Sequence, residues 1–174
     1  MSGTTRIREA CIADVPVLAT LGRKISKTWF AEVYTDSELL EFLDRDFSED
    51  VLSNHIQSPE SHTYLIHEWG DDPVGFARIN WGRPIPLTDE TGAELQKIYY
   101  LPGHTGKGLG RALMTAVTEA VAARAVSSLW LDVLNSNPRA RSFYLELGFE
   151  VIGDKPFATG RGEIGMQVMR KRLG

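Results

Sequence analysis

The sequence predicts a layered α/β (α+β) fold, a mixed and mostly antiparallel seven-stranded sheet flanked by helices. Three observations lead there. Short aromatic and β-branched runs in the middle of the chain are joined by Gly70-Asp71-Asp72-Pro73, the signature of a hairpin. A strand, the best helix of the chain and a second strand then follow from 93 to 134, a βαβ unit whose strands should run parallel. And 174 residues without repeats, low-complexity tracts or a separating linker fit one domain, residues 1–174.

Taken in order, Thr5–Glu9 (TRIRE) alternates and reads as a strand, with Arg6 and Arg8 on one face and Ile7 on the other. Asp14 is expected to cap a helix with Pro16 in its first turn and Val15, Leu18, Leu21 and Ile25 at helical spacing. Further helical stretches are expected at about 37–47 and 49–57, the latter capped by Ser48 and stopped by Pro59. Strands follow at 63–68, 74–81 and 93–101, and a helix at 108–125 carries Leu109, Leu113, Val117 and Val121 as its apolar stripe. A strand at 128–134, a short helix at 138–147 and strands at 149–152 and 164–169 complete the chain. The predicted order is β-α-α-β-β-β-α-β-α-β-β, which counts two helices before the second strand.

Composition narrows the function classes. The 23 acidic residues outnumber the 19 basic ones, which argues against a nucleic-acid partner. No apolar run reaches the roughly 20 residues of a membrane span, and the start of the chain lacks the basic head and apolar stretch of a signal peptide. Cys11 is the sole cysteine, so an internal disulfide is impossible, and a cytoplasmic location is the expectation. The four histidines (55, 62, 67 and 104) show no metal-ligand spacing, so no metal is expected.

The most informative stretch is Ile98–Arg111, IYYLPGHTGKGLGR: a strand, a proline turn and a glycine cluster opening a helix. Main-chain amides at a helix start have no intrahelical acceptor, and the helix dipole adds positive charge there, so such a terminus binds phosphate. Glycines at 106, 108 and 110 let an anion approach the backbone, and Lys107 and Arg111 can add charge. The spacing fits neither a Walker A loop nor the dinucleotide fingerprint. A glycine-rich turn that only opens a helix is the plainer reading of the loop taken alone.

Thr105-Gly106-Lys107-Gly108-Leu109-Gly110 resembles the pyrophosphate-binding motif Gln/Arg-x-x-Gly-x-Gly/Ala of the GCN5-related N-acetyltransferase (GNAT) superfamily, with Thr105 in place of the usual Gln or Arg. Downstream, Asn137-Pro138-Arg139-Ala140-Arg141-Ser142-Phe143-Tyr144 and the following Gly148-Phe149 resemble the family's second coenzyme A segment. The resemblance implies a GNAT fold, one N-acetyltransferase domain and acetyl-CoA as acetyl donor. It implies that the loop amides from Thr105 to Arg111 wrap the pyrophosphate, that backbone groups around Ile98, Tyr99 and Tyr100 meet the acetyl and pantetheine end, and that Asn137 contacts that end too. It assigns Tyr144 to the coenzyme A sulfur, where a phenol can protonate the leaving thiolate; packing beside Phe143 is the plainer reading. Glu94, upstream of the loop, resembles the catalytic Glu of histone-acetylating members, with a water alone as the other option for the base. Cys11 lies far from both motifs, so direct transfer is expected over an acetyl-cysteine route.

Two softer segments, Lys24–Phe47 and Gly153–Glu163, look like PaiA-type diamine and polyamine N-acetyltransferases. The family places its acceptor pocket where this chain carries Trp29, Phe30, Tyr34, Glu38, Glu41, Trp81 and Glu94. Aromatic faces beside carboxylates suit an alkylammonium ion, and a closed core with a solvated helix face accounts for the same residues. Three functions stay open: transfer to a small polyamine-like amine, transfer to a protein or peptide, and acetyl-CoA sensing without catalysis. The expected partner is a small-molecule amine, with no nucleic acid and no membrane; a homodimer is left open.

Overall fold

In this computed structural model, which describes residues 3–174, β1 (Thr5–Glu9) leads through a 3-10 turn (Ile12–Asp14) into α1 (Val15–Phe30), α2 (Asp36–Phe47) and α3 (Glu49–Ile56). Three separate helices thus precede the second strand, where the predicted order counted two. β2 (His62–Trp69), β3 (Asp72–Pro84) and β4 (Thr91–Tyr100) follow, then α4 (Leu109–Ala123), β5 (Ser128–Leu134), α5 (Pro138–Glu146) and β6 (Glu150–Lys155). A two-residue hairpin, β7 (Ala158–Thr159) and β8 (Gly162–Glu163), precedes β9 (Met166–Arg172). The main sheet has seven strands in the order β1-β2-β3-β4-β5-β9-β6, antiparallel except between β4 and β5.

Local chemistry accounts for the helix ends. Thr35 and Glu38 form a reciprocal capping box at α2, and Ser48 accepts from the Val51 amide at α3. Asp14 departs from its expected role: its carboxylate accepts from the Cys11 amide and from Arg8, closing the 3-10 turn instead of capping α1. Arg6 and Arg8 do share a face, both reaching Glu68 on β2. Cys11 is exposed.

The helices cover both faces. Leu109, Leu113, Val117 and Val121 of α4 pack with Tyr144 and Phe149 against Ala77, Ile79, Ala93, Leu95, Leu129, Leu131 and Val133. On the other face, α1–α3 pack against Tyr64, Ile66 and Phe76. Each fully buried aliphatic or aromatic side chain contributes about 1.5–3 kcal/mol, so the two clusters pin the sheet from both sides.

β4 carries the irregularity that shapes the site. Its register with β3 jumps from Ile79↔Leu95 to Arg78↔Lys97, leaving Gln96 as the extra residue of a β-bulge. Before the bulge Ala93 and Leu95 face α4; after it Ile98 and Tyr100 do, while Tyr99 joins the α1–α3 cluster. The parallel ladder between β4 and β5 holds only at Ala93↔Leu129 and Glu94↔Trp130. Beyond that pair the two strands run on without pairing each other, and the Tyr100 carbonyl accepts from the Trp29 indole instead of from a β5 amide.

Candidate active site

The site begins where the β4–β5 ladder ends and where α4 starts. Gly108 is the N-cap of α4 with φ 77°, and Gly106 has φ 75°, both in the left-handed region that side-chain-bearing residues avoid. The first helical bond runs from the Ala112 amide to the Gly108 carbonyl, and no side chain caps the helix. Among the described residues no acceptor meets the amides of 105–111. A Cβ added at Gly108 would meet nothing within 4 Å, and one at Gly106 only Arg139 Nη2 at 3.7 Å. Seven successive backbone donors without a protein acceptor therefore stand at the positive end of a 15-residue helix, a set suited to cradle a diphosphate.

The side chains around the cradle are placed less simply. Thr105 is exposed. Lys107 Nζ lies 5.3 Å from the centre of the Trp69 ring, and His104 stands edge-on to the same ring. Arg111 pairs with Glu146 of α5 at 3.2 Å. Arg139, on the first turn of α5, brings a guanidinium to the loop that sequence spacing alone did not single out.

Asn137 caps α5, its Oδ1 accepting from the Ala140 amide at 3.1 Å, which leaves its Nδ2 as a donor without a partner among the described residues. Tyr144 is 8% exposed, with its ring packed on Phe143 and Phe149. Burial raises its phenol well above the ordinary tyrosine value, so it keeps its proton at neutral pH.

The opposite face of the gap carries the carboxylates. Because Ala93, Leu95, Leu129, Leu131 and Val133 face α4, alternation turns Glu94, Trp130 and Asp132 to the other side. Asn80 Nδ2 donates to Glu94 Oε2 at 3.2 Å, and Arg83 lies 3.7 Å from the same oxygen. Asp132 had no part in the sequence-based site, although a lone charge in the apolar run SLWLDVL was its signal. Its Oδ2 accepts from Lys155 at 2.7 Å, while its Oδ1 is buried without a partner among the described residues. A buried carboxylate oxygen left unbonded is costly, and it points to a place where a ligand donor fits.

The acceptor-side expectations divide. The predicted segments do meet: the β7–β8 hairpin docks on the α1–α2 connection, with Thr159 Oγ1 donating to the Val33 carbonyl at 2.7 Å and Arg161 Nε to the Tyr34 carbonyl at 2.6 Å. Phe157 stands edge-on to Tyr34, and a cavity of about 240 Å³ opens beside it, lined by Pro156, Phe157, Glu163, Ile164 and Gly165. Tyr34 and Phe30 are part-buried members of an aromatic cluster with Phe42 and Tyr99. Trp29 is 48% exposed, with its indole N–H donated to the Tyr100 carbonyl at 3.0 Å. Glu41 is exposed. Two expected residues are elsewhere engaged. Trp81 packs in the α4-side core, donates to Thr63 and lies under Arg124, so it turns away from the aromatic cluster. Glu38 gives one oxygen to the Thr35 amide and the other to the Gly160 amide, so it ties the hairpin to α2 and has no oxygen free of that work.

An ammonium already sits among those aromatics. Lys97, turned to this face by the bulge, lies 2.6 Å from Asp46 and over the rings of Phe42, Phe47 and Tyr99. Burial pulls it down to about 8 while Asp46 holds it up. Arg45 also bonds Asp46, so the carboxylate is not stranded if Lys97 is removed. Lys97→Met should therefore cost only about 1 kcal/mol in urea unfolding, since a thioether suits the aromatic surroundings and a buried ion pair adds little net stability. A loss above about 3 kcal/mol would show that Arg45 does not compensate the Asp46 carboxylate once Lys97 is gone.

The model of the acetyltransferase (GNAT) family matches residues 24–149. The chain is 30% identical over 162 residues to an uncharacterized N-acetyltransferase of Mycobacterium tuberculosis (strain ATCC 25618 / H37Rv), covering 93% of this chain and 99% of that protein. It is 24% identical over 148 residues to spermidine N(1)-acetyltransferase of Thermoplasma acidophilum, covering 83% of this chain and 88% of that one. Among solved structures, the PaiA N-acetyltransferase of Thermoplasma acidophilum in complex with coenzyme A superposes with a TM-score of 0.76 at 22% identity, covering 98% of this chain and 99% of that one.

Proposed function

The chain belongs to the acetyltransferase (GNAT) family, and from that premise we propose that it transfers an acetyl group from acetyl-CoA to a primary amine of a small molecule, by direct attack within a ternary complex. The observation that carries this reading is the run of acceptor-free amides at 105–111, set beside the gap where β4 and β5 stop pairing. These residues fit the cofactor: the amides and Arg139 hold the diphosphate, and the backbone at Ile98–Tyr100, whose Tyr100 carbonyl is held by Trp29, lines the pantetheine arm with Asn137 Nδ2. Acetyl-CoA supplies an activated thioester at the mouth of the gap.

The protein's own groups then manage position and protons. Glu94, held by Asn80, takes the proton that the attacking amine must lose, directly or through a water. Asp132 Oδ1 offers a second carboxylate on the same face. The new C–N bond forms as the C–S bond breaks, and Tyr144 donates its phenolic proton to the departing sulfur.

The docked β7–β8 hairpin favours a small acceptor over a peptide, since it closes the side where an extended chain would lie. Tyr34, Phe157 and Glu163 beside the cavity suit an alkylammonium ion, and the spermidine-acetylating relative puts polyamines first among acceptors. A thiol-release screen with acetyl-CoA tests this against putrescine, spermidine, amino acids, aminoglycosides and short peptides. Turnover with di- and polyamines is expected. Turnover with peptides alone would overturn the small-amine reading, and absence of both thiol release and coenzyme A binding would overturn acetyl transfer itself.

A further inference from the structure

The cradle loop is tied to the sheet by little main-chain bonding. Between Leu101 and Gly108 the backbone makes one internal bond, from the His104 amide to the Leu101 carbonyl. The firmer tie is a side-chain chain crossing three elements. Tyr100 Oη on β4 donates to the carbonyl of Leu109, the first residue of α4, at 2.8 Å, and lies 2.8 Å from His67 Nδ1 on β2. All three residues are buried, and His67 is 0% exposed.

The donors sort themselves. The phenolic hydrogen is spent on Leu109, so His67 must donate to the phenolic oxygen through Nδ1–H. Burial without a charged neighbour pulls His67 below its ordinary value and keeps it neutral, with one N–H. That leaves Nε2 as a bare lone pair, in accord with its lack of a partner among the described residues. Gly75 on β3 makes room for the arrangement: a Cβ there would fall 2.4 Å from the Tyr100 ring. The chain therefore ends on the very turn whose amides form the cradle.

We infer that Tyr100 and His67 are positioning residues for donor binding, setting the first turn of α4 at the height at which its amides meet the diphosphate of acetyl-CoA. The inference rests on the acetyl-CoA reading above and gives the Tyr100 side chain a role beyond its backbone. Neither side chain touches the acetyl group. Their effect falls on the phosphate half of the donor and spares the pantetheine half, which β4 and Asn137 serve.

That asymmetry makes a test with no need of an acceptor. Calorimetry on the full chain would measure coenzyme A directly and pantetheine, which lacks the diphosphate, by displacement. Tyr100→Phe is expected to weaken coenzyme A about tenfold and pantetheine less than about twofold, so that the selectivity between them shrinks about tenfold. His67→Ala should shift selectivity the same way, and His67→Asn, which keeps a donor near the Nδ1 place, should recover most of it. Thermal melts identify any variant that does not fold, and the remaining variants decide the question. Equal losses for both ligands, or none, would reduce the chain to general support and overturn the inference. Failure of the wild-type protein to bind coenzyme A would instead overturn the proposed donor.

Discussion

Tyr144→Phe is expected to cut turnover at least tenfold while changing acetyl-CoA affinity less than about twofold; a tenfold loss corresponds to about 1.4 kcal/mol of transition-state stabilisation. The substitution removes one oxygen and leaves the ring on Phe143 and Phe149, so packing is retained. What it deletes is a proton held firmly by burial, the one the proposed mechanism passes to the departing sulfur. Positioned general acids contribute about 10²–10⁴-fold, so a tenfold loss is the least the role requires. Steady-state thiol release gives turnover, and calorimetry gives affinity. Unchanged turnover would return Tyr144 to core packing alone, and a loss confined to affinity would place its hydroxyl in donor binding.

What could be read from the sequence was what local chemistry decides. The cradle depends on glycines and a helix start within a few residues of each other, and Asn137 and Ser48 cap the helices that directly follow them. The faces of β4 were another matter. Alternation assigns faces only while the register is unbroken, and the bulge at Gln96 has no local signature, so the swing of Lys97 toward Asp46 was not legible. The engagement of Trp81 and Glu38 with other parts of the chain was hidden for a related reason: aromatic and acidic residues near a pocket in sequence look alike whether free or engaged. Their partners, Thr63 for Trp81 and the Gly160 amide for Glu38, come from distant parts of the chain. The same distance hid the His67–Tyr100–Leu109 chain, since His67 carried no metal-ligand spacing and Tyr100 was read for its strand backbone and not for its side chain.

Gly108→Val should weaken acetyl-CoA binding about a hundredfold, equivalent to about 2.7 kcal/mol. The argument is one of backbone geometry. A Cβ at 108 would meet nothing within 4 Å, so no clash drives the effect. The strain lies in φ 77°, a conformation that costs a side-chain-bearing residue about 1–2 kcal/mol and a β-branched one at least as much. The loop escapes that strain by turning the 108 peptide to negative φ, which swings the flanking amides out of their common direction and breaks the cradle. Gly70 offers a matched control: it has φ 62° in the β2–β3 turn and equally open surroundings. Gly70→Val should lower the melting temperature comparably yet leave acetyl-CoA affinity untouched. Equal affinity losses for the two variants would show that general destabilisation, and not the direction of the amides, governs binding. Wild-type affinity in Gly108→Val would mean that the diphosphate is held by side chains such as Arg139 in place of the main chain.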